Sequence, residues 1–124
     1  MGTLLIAGSR SYKDFNTLKR MVDKNQGKYD YINIISGGAP GVDTLAKEYA
    51  RYKYGDLFLD RFAEYKADWD KYGKSAGFKR NITMADVCNY TYIFWDLRSP
   101  GTKNMIELLR QRNKKFIVYV IPCR

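Results

Sequence analysis

A chain of 124 residues has room for one domain spanning 1–124, and its 45% hydrophobic content lets that core form without disulfides or metal. The absence of histidine excludes serine–histidine and cysteine–histidine catalysis and histidine metal sites, leaving carboxylates, lysine and tyrosine for any proton transfer. The net charge of +9 suits a phosphate-rich partner, or serves only as a solvated, solubilising surface.

The first apolar run, Leu4–Ala7, reads as a strand covered on both faces. After Gly8-Ser9-Arg10, either Asp14 or Asn16 can cap a helix to about Asn25, with Phe15, Leu18 and Val22 as its buried stripe and Gly27 beyond its end. Tyr31–Ser36 is the second strand. Pro40 and Gly41 then stand where a helix begins, lined by Val42, Leu45, Ala46, Tyr49 and Ala50 and stopped by Gly55. Leu57–Phe62 alternates like a third strand, and 63–77 is the longest weakly patterned stretch. A helix over Phe78–Val87, a fourth strand at Tyr90–Trp95, a helix from Gly101-Thr102 to Arg112 and a fifth strand at Phe116–Ile121 complete the order.

Strands alternating with helices imply an α/β three-layer sandwich, Rossmann-like and doubly wound, with a mostly parallel five-stranded sheet. Right-handed crossovers give 3-2-1-4-5 as the expected strand order. That order sets three glycine-bearing turns, Gly8-Ser9-Arg10, Gly37-Gly38-Ala39-Pro40-Gly41-Val42-Asp43 and Ser99-Pro100-Gly101-Thr102, along one crevice at one sheet edge.

The remaining classes are quickly narrowed. No apolar run approaches the roughly 20 residues that span a bilayer. Met1-Gly2-Thr3 before Leu4–Ala7 lacks the basic start of a signal peptide. Cys88 and Cys123 have no partner pattern and read as reduced thiols. A cytoplasmic protein without membrane contact, metal or cofactor is expected.

Each turn offers candidates. Gly37, Gly38, Ala39 and Gly41 let backbone N–H groups approach an anion, or simply make a tight strand-to-helix turn. Asp43 can accept from a ribose hydroxyl, or act as a dipole-favoured carboxylate. Gly8, Ser9 and Arg10 follow the first strand, where a guanidinium can grip a phosphate or form a surface salt bridge. Ser99, Gly101 and Thr102 supply hydroxyls and amides at a helix start, for phosphate or ribose or as a plain N-cap. Trp69 and Tyr72 can stack on a base or pack in the core. Lys74 adds a phosphate contact or remains a mobile surface lysine. Asp96, ending the fourth strand, is the best-placed carboxylate for general-base work if any chemistry occurs.

Taken in order, Gly8-Ser9-Arg10, Ser36 to Asp43, Ala67-Asp68-Trp69, Tyr72-Gly73-Lys74, Ala76-Gly77, Arg80-Asn81, Met84 and Ser99-Pro100-Gly101-Thr102 resemble the SLOG superfamily. That group joins the Smf/DprA DNA-processing proteins with the LOG ("lonely guy") phosphoribohydrolases; the small stand-alone YspA-like branch is the nearest in pattern. The resemblance implies a Rossmann-like domain that binds nucleotides or nucleotide-derived ligands, in some members as a sensor. It also makes Arg80 and Asn81 functional: Arg80 would bind phosphate or polarise a glycosidic bond, its bland alternative being an exposed helix arginine. LOG enzymes end their second signature in a catalytic glutamate, where this chain has Met105. Glu107 is turned about 200° round the helix from there.

The expected function is therefore binding of a nucleotide-derived small molecule, for instance an ADP-ribose-like signal, as a sensor or sequestering protein. One alternative is hydrolysis of a nucleotide N-glycosidic bond, with Arg80 and Asp96 or Asp43. The other is single-stranded nucleic acid binding through the basic C-terminal third, where seven basic residues from Arg98 to Arg124 face Glu107 alone. LOG-type relatives pair through helices beside the site, so the helix from Gly101 to Arg112 is a candidate for a homo-oligomer, dimer or higher; its stripe of Met105, Leu108 and Leu109 serves equally as core.

Overall fold

A computed structural model describes residues 2–25 and 27–122; Met1, Cys123 and Arg124, on which readings above touch, lie outside them. Five strands form one sheet: β1 (Gly2–Gly8), β2 (Tyr31–Gly37), β3 (Phe62–Tyr65), β4 (Tyr90–Trp95) and β5 (Lys115–Val120). Their order is β3-β2-β1-β4-β5, and all four pairings are parallel. The main helices are α1 (Phe15–Lys24), α2 (Val42–Tyr54), α5 (Ala76–Val87) and α6 (Pro100–Gln111); α3 (Phe58–Arg61) and α4 (Trp69–Tyr72) are single turns.

The three layers follow from the period of two along the strands. Leu4 and Ile6 of β1 join Leu18 and Val22 of α1 and Val42, Ala46 and Tyr49 of α2 in one core. Leu5 and Ala7 point the other way, onto Met84 and Ala85 of α5 and Met105 and Leu109 of α6. A strand sandwiched like this has no polar face, which is why β1 reads as an unbroken apolar run. Met105, Leu108 and Leu109 are buried in this second core, so the stripe of α6 is taken up within the chain. Among the described residues, no helix is long and apolar enough to cross a membrane.

The α1 cap falls on Asp14, whose carboxylate accepts from the Thr17 amide at 3.0 Å. One element is misplaced by the sequence pattern. Leu57–Phe62 is not the third strand: after Gly55 the chain continues as a 3-10 turn over Gly55–Leu57 and then α3, and β3 starts only at Phe62. Helical spacing brings Phe58 and Phe62 together as stacked rings 5.2 Å apart, with the Arg51 guanidinium 4.3 Å over Phe58. Those contacts stabilise the helical turn and leave Leu59 exposed. The strand that pairs with β2 is Phe-Ala-Glu-Tyr, aligned from Ile34↔Phe62 to Gly37↔Tyr65. The weakly patterned stretch thus holds β3, α4, a 3-10 turn over Gly73–Ser75 and the start of α5, which begins two residues before Phe78.

Candidate functional site

At the carboxyl ends of β1 and β4, where the winding of the sheet reverses, the chain encloses a cavity of about 390 Å³. Parallel α/β sheets bind ligands at this position because the helices that follow the strands diverge there and leave their N-termini free. Gly8, Arg10, Ala39, Asp43, Trp69, Lys74, Arg80, Asn81, Ser99, Gly101 and Thr102, all anticipated from sequence, line it.

The other anticipated residues do not line it. Gly41 holds the first two turns together: its φ is +79°, and a Cβ there would lie 2.3 Å from the carbonyl oxygens of both Ser9 and Arg10. At this junction the Val42 amide donates to the Ser9 carbonyl at 3.1 Å. Gly37 makes room inside the site, since a Cβ there would sit 2.7 Å from Asp43 Oδ2 and 3.1 Å from Arg80 Cζ and Nη1. A Cβ on Gly38 would meet side-chain atoms alone, the Glu64 carboxylate at 3.4 Å and Lys66 Cγ at 3.6 Å.

Ser9 and Asp96 brace the third turn. The buried Ser9 hydroxyl accepts from the Asp96 amide at 3.1 Å and lies within hydrogen-bond distance of the Ser99 hydroxyl, also at 3.1 Å. The Asp96 carboxylate accepts from the amides of Arg98 at 2.9 Å and Ser99 at 2.8 Å, and from the Ser99 hydroxyl at 3.2 Å. Burial alone would raise its pKa, but these bonds together hold it below the ordinary carboxylate value. A carboxylate so occupied favours its ionised, hydrogen-bonded form, and it does not line the cavity. Asp96→Ala is expected to lower stability by about 1–2 kcal/mol through loss of this turn, read from the urea midpoint at neutral pH.

With the Ser99 hydroxyl turned toward Asp96 and Ser9, no side chain caps α6. Pro100 occupies its first turn, and the first-turn segment Ser99 to Thr102 borders the cavity. Helix starts of this kind carry free N–H groups and a positive partial charge. Asn81, buried on α5, fixes this end of α6 by donating to the Gly101 carbonyl at 3.2 Å and the Asn104 side chain at 3.1 Å.

Arg10 and Lys74 are exposed at the rim, whereas Arg80 reaches inward and its Nε is buried without a partner. Asp43 is 8% exposed, and its Oδ2 accepts from the Ala39 amide at 3.2 Å. Burial pushes its pKa up to about 6, against the opposing pull of the Ala39 amide, Arg80, the Ser36 hydroxyl and Arg10.

Sequence reasoning missed the apolar wall. Ala7, Phe78, Met84, Pro100 and Met105 line the cavity, and Trp69 lies half-exposed on its rim, against α5 at Gly77 and outside both cores. Met84 and Met105 belong to stripes that pack on the sheet further along, so nothing in their spacing separates wall from core. Glu107 is exposed on α6 and does not line the cavity.

Residues 3–72, from β1 through α4, match the model of the YAcAr family, described as the YspA, cpYpsA-related SLOG family. The chain is also similar to the "Gene 61 protein" of Mycobacterium phage D29, 36% identical over 112 residues, which covers 86% of this chain and 87% of the relative. No solved structure matches at a significant level.

Proposed function

The chain belongs to the YspA, cpYpsA-related SLOG family, and on that premise we propose that its cavity binds a nucleotide-derived small molecule. The observation that carries this reading is the juxtaposition of an uncapped helix start with an apolar wall. The first-turn amides of α6, with Arg10 and Lys74 at the rim, hold phosphate. Trp69, Phe78, Met84 and Met105 offer a flat, apolar surface to a base. A volume of about 390 Å³ suits a ligand of nucleotide size.

Retention without cleavage is the preferred form, as in a sensor or sequestering protein for an ADP-ribose-like signal. The position where LOG-type hydrolases carry a glutamate is occupied by the buried thioether of Met105, which cannot transfer a proton. Asp96 positions the α6 turn in this reading and takes no part in chemistry.

Calorimetry with AMP, ADP, GDP and ADP-ribose tests the proposal. At least one should bind, and Arg10→Ala should weaken it about 10- to 100-fold, the range for one charge-assisted hydrogen-bonded contact. Binding of none of them, or affinity indifferent to Arg10→Ala, would sink it. Tighter binding of a single-stranded oligonucleotide than of any mononucleotide, falling steeply with salt, would favour the nucleic acid reading instead.

A further inference from the structure

We infer that the cavity selects ligands carrying a ribose diol over their 2′-deoxy counterparts, through a matched acceptor and donor formed by Asp43 and Arg80. The inference rests on the nucleotide reading above and deepens it by naming the sugar.

Gly37 stands beside both residues. Its missing side chain is the space into which Asp43 Oδ2 and the Arg80 guanidinium both extend, at 2.7 and 3.1 Å from where a Cβ would be. Despite this proximity, the two form no ion pair within 4.0 Å; the salt bridges among the described residues lie elsewhere. A carboxylate and a guanidinium are therefore held beside one gap without closing it. Asp43, 8% exposed, has one amide donor on Oδ2. Arg80 Nε–H is buried with no acceptor. Buried polar groups in folded proteins are nearly always paired, so the orphaned Arg80 Nε–H points to an acceptor supplied from outside, and the Asp43 carboxylate beside it has lone pairs left to accept from that same group.

The chemistry of that group is constrained. It must donate to a carboxylate and accept from a guanidinium. A phosphate only accepts, and Asp43 repels it; an ammonium only donates, and Arg80 repels it. A hydroxyl does both, and two adjacent hydroxyls can address both oxygens of a carboxylate. Within a nucleotide that group is the ribose diol. The edge of guanine also presents donors and an acceptor, so base and sugar are separated in the experiment.

Sites built to hydrogen-bond a hydroxyl reject the analogue lacking it, because their own polar groups are then left buried and unpaired. Calorimetry should compare ADP with 2′-deoxy-ADP and GDP with 2′-deoxy-GDP on the intact chain, Asp43→Asn and Arg80→Lys. The ribose form of each pair should bind about 10- to 100-fold more tightly to the intact chain. In Asp43→Asn the amide oxygen stays with the Ala39 N–H and the NH₂ turns to the cavity, so the acceptor is lost and the preference should shrink below about threefold. Arg80→Lys removes the Nε donor and should erode the preference in both pairs. Equal binding within each pair, a preference unmoved by Asp43→Asn, or discrimination that follows the base and ignores the sugar overturns this inference while leaving nucleotide binding intact. Absence of binding by all four overturns the reading of the site and this inference with it.

Discussion

Gly41→Ala is expected to lower the unfolding free energy by about 2–5 kcal/mol. Two independent penalties combine. The backbone at Gly41 has φ of +79°, which costs an L-residue about 1–2 kcal/mol. The added Cβ would lie 2.3 Å from the Ser9 and Arg10 carbonyl oxygens, and those are backbone atoms that cannot swing away. Relieving that overlap costs a further roughly 1–3 kcal/mol. Gly55→Ala separates the terms: its φ is +53° but nothing lies within 4 Å, so it should lose only the backbone part. Guanidinium unfolding followed by tryptophan fluorescence reads both. If the two variants are equally stable, Gly41 does not clamp the turns as described. A partly relaxed Gly41→Ala chain should also bind nucleotide more weakly, since separating Val42 from the Ser9 carbonyl shifts Arg10 at the rim.

That clamp shows how the glycines were legible and where their purpose was not. Their placement after apolar strands located the site, because a glycine turn following a buried strand is a local signal. Their partners include residues distant in sequence. Gly41 answers to Ser9 and Arg10, and Gly37 answers to Arg80 as well as to nearby Asp43, so neither requirement is complete in any one window of the chain. The fold divides the same way. Leu4 to Ala7 announces a central strand because both its faces are covered. β3 announces little, since at the sheet edge Glu64 can stay partly in solvent and only four residues pair. Its neighbour Leu57–Phe62 carried the stronger alternation and became helical because Phe58, Phe62 and Arg51 satisfy one another locally. Trp69 looked like core by composition, yet α4 lies outside the two sheet-facing layers and leaves it 51% exposed at the cavity rim.

Asp43→Asn should do the opposite of Gly41→Ala and stabilise the chain at neutral pH by about 3 kcal/mol. Burial raises the carboxyl's pKa to about 6 in the folded state from an ordinary 3.8, a displacement whose free energy is of that order. The sign follows from which state holds the proton. A raised folded pKa means the folded chain binds the proton more tightly, so Asp43 favours folding most below about pH 4. That contribution declines as pH rises from about 4 to 6 and is gone above it. Asparagine does not titrate, and its amide oxygen can keep the Ala39 N–H. The difference between variant and parent should therefore be small at pH 4, grow through pH 6 and level off by pH 7. Urea unfolding across that range tests it; a difference independent of pH would show that ionisation of Asp43 is not the cause. The same residue should lose ligand preference as it gains stability. A ribose hydroxyl that donates to Asp43 supplies part of the solvation that burial removed, which lowers the carboxyl's pKa in the complex. Binding of ADP near pH 6 should then release protons, seen as a dependence of the calorimetric heat on buffer ionisation enthalpy, and Asp43→Asn should abolish that release.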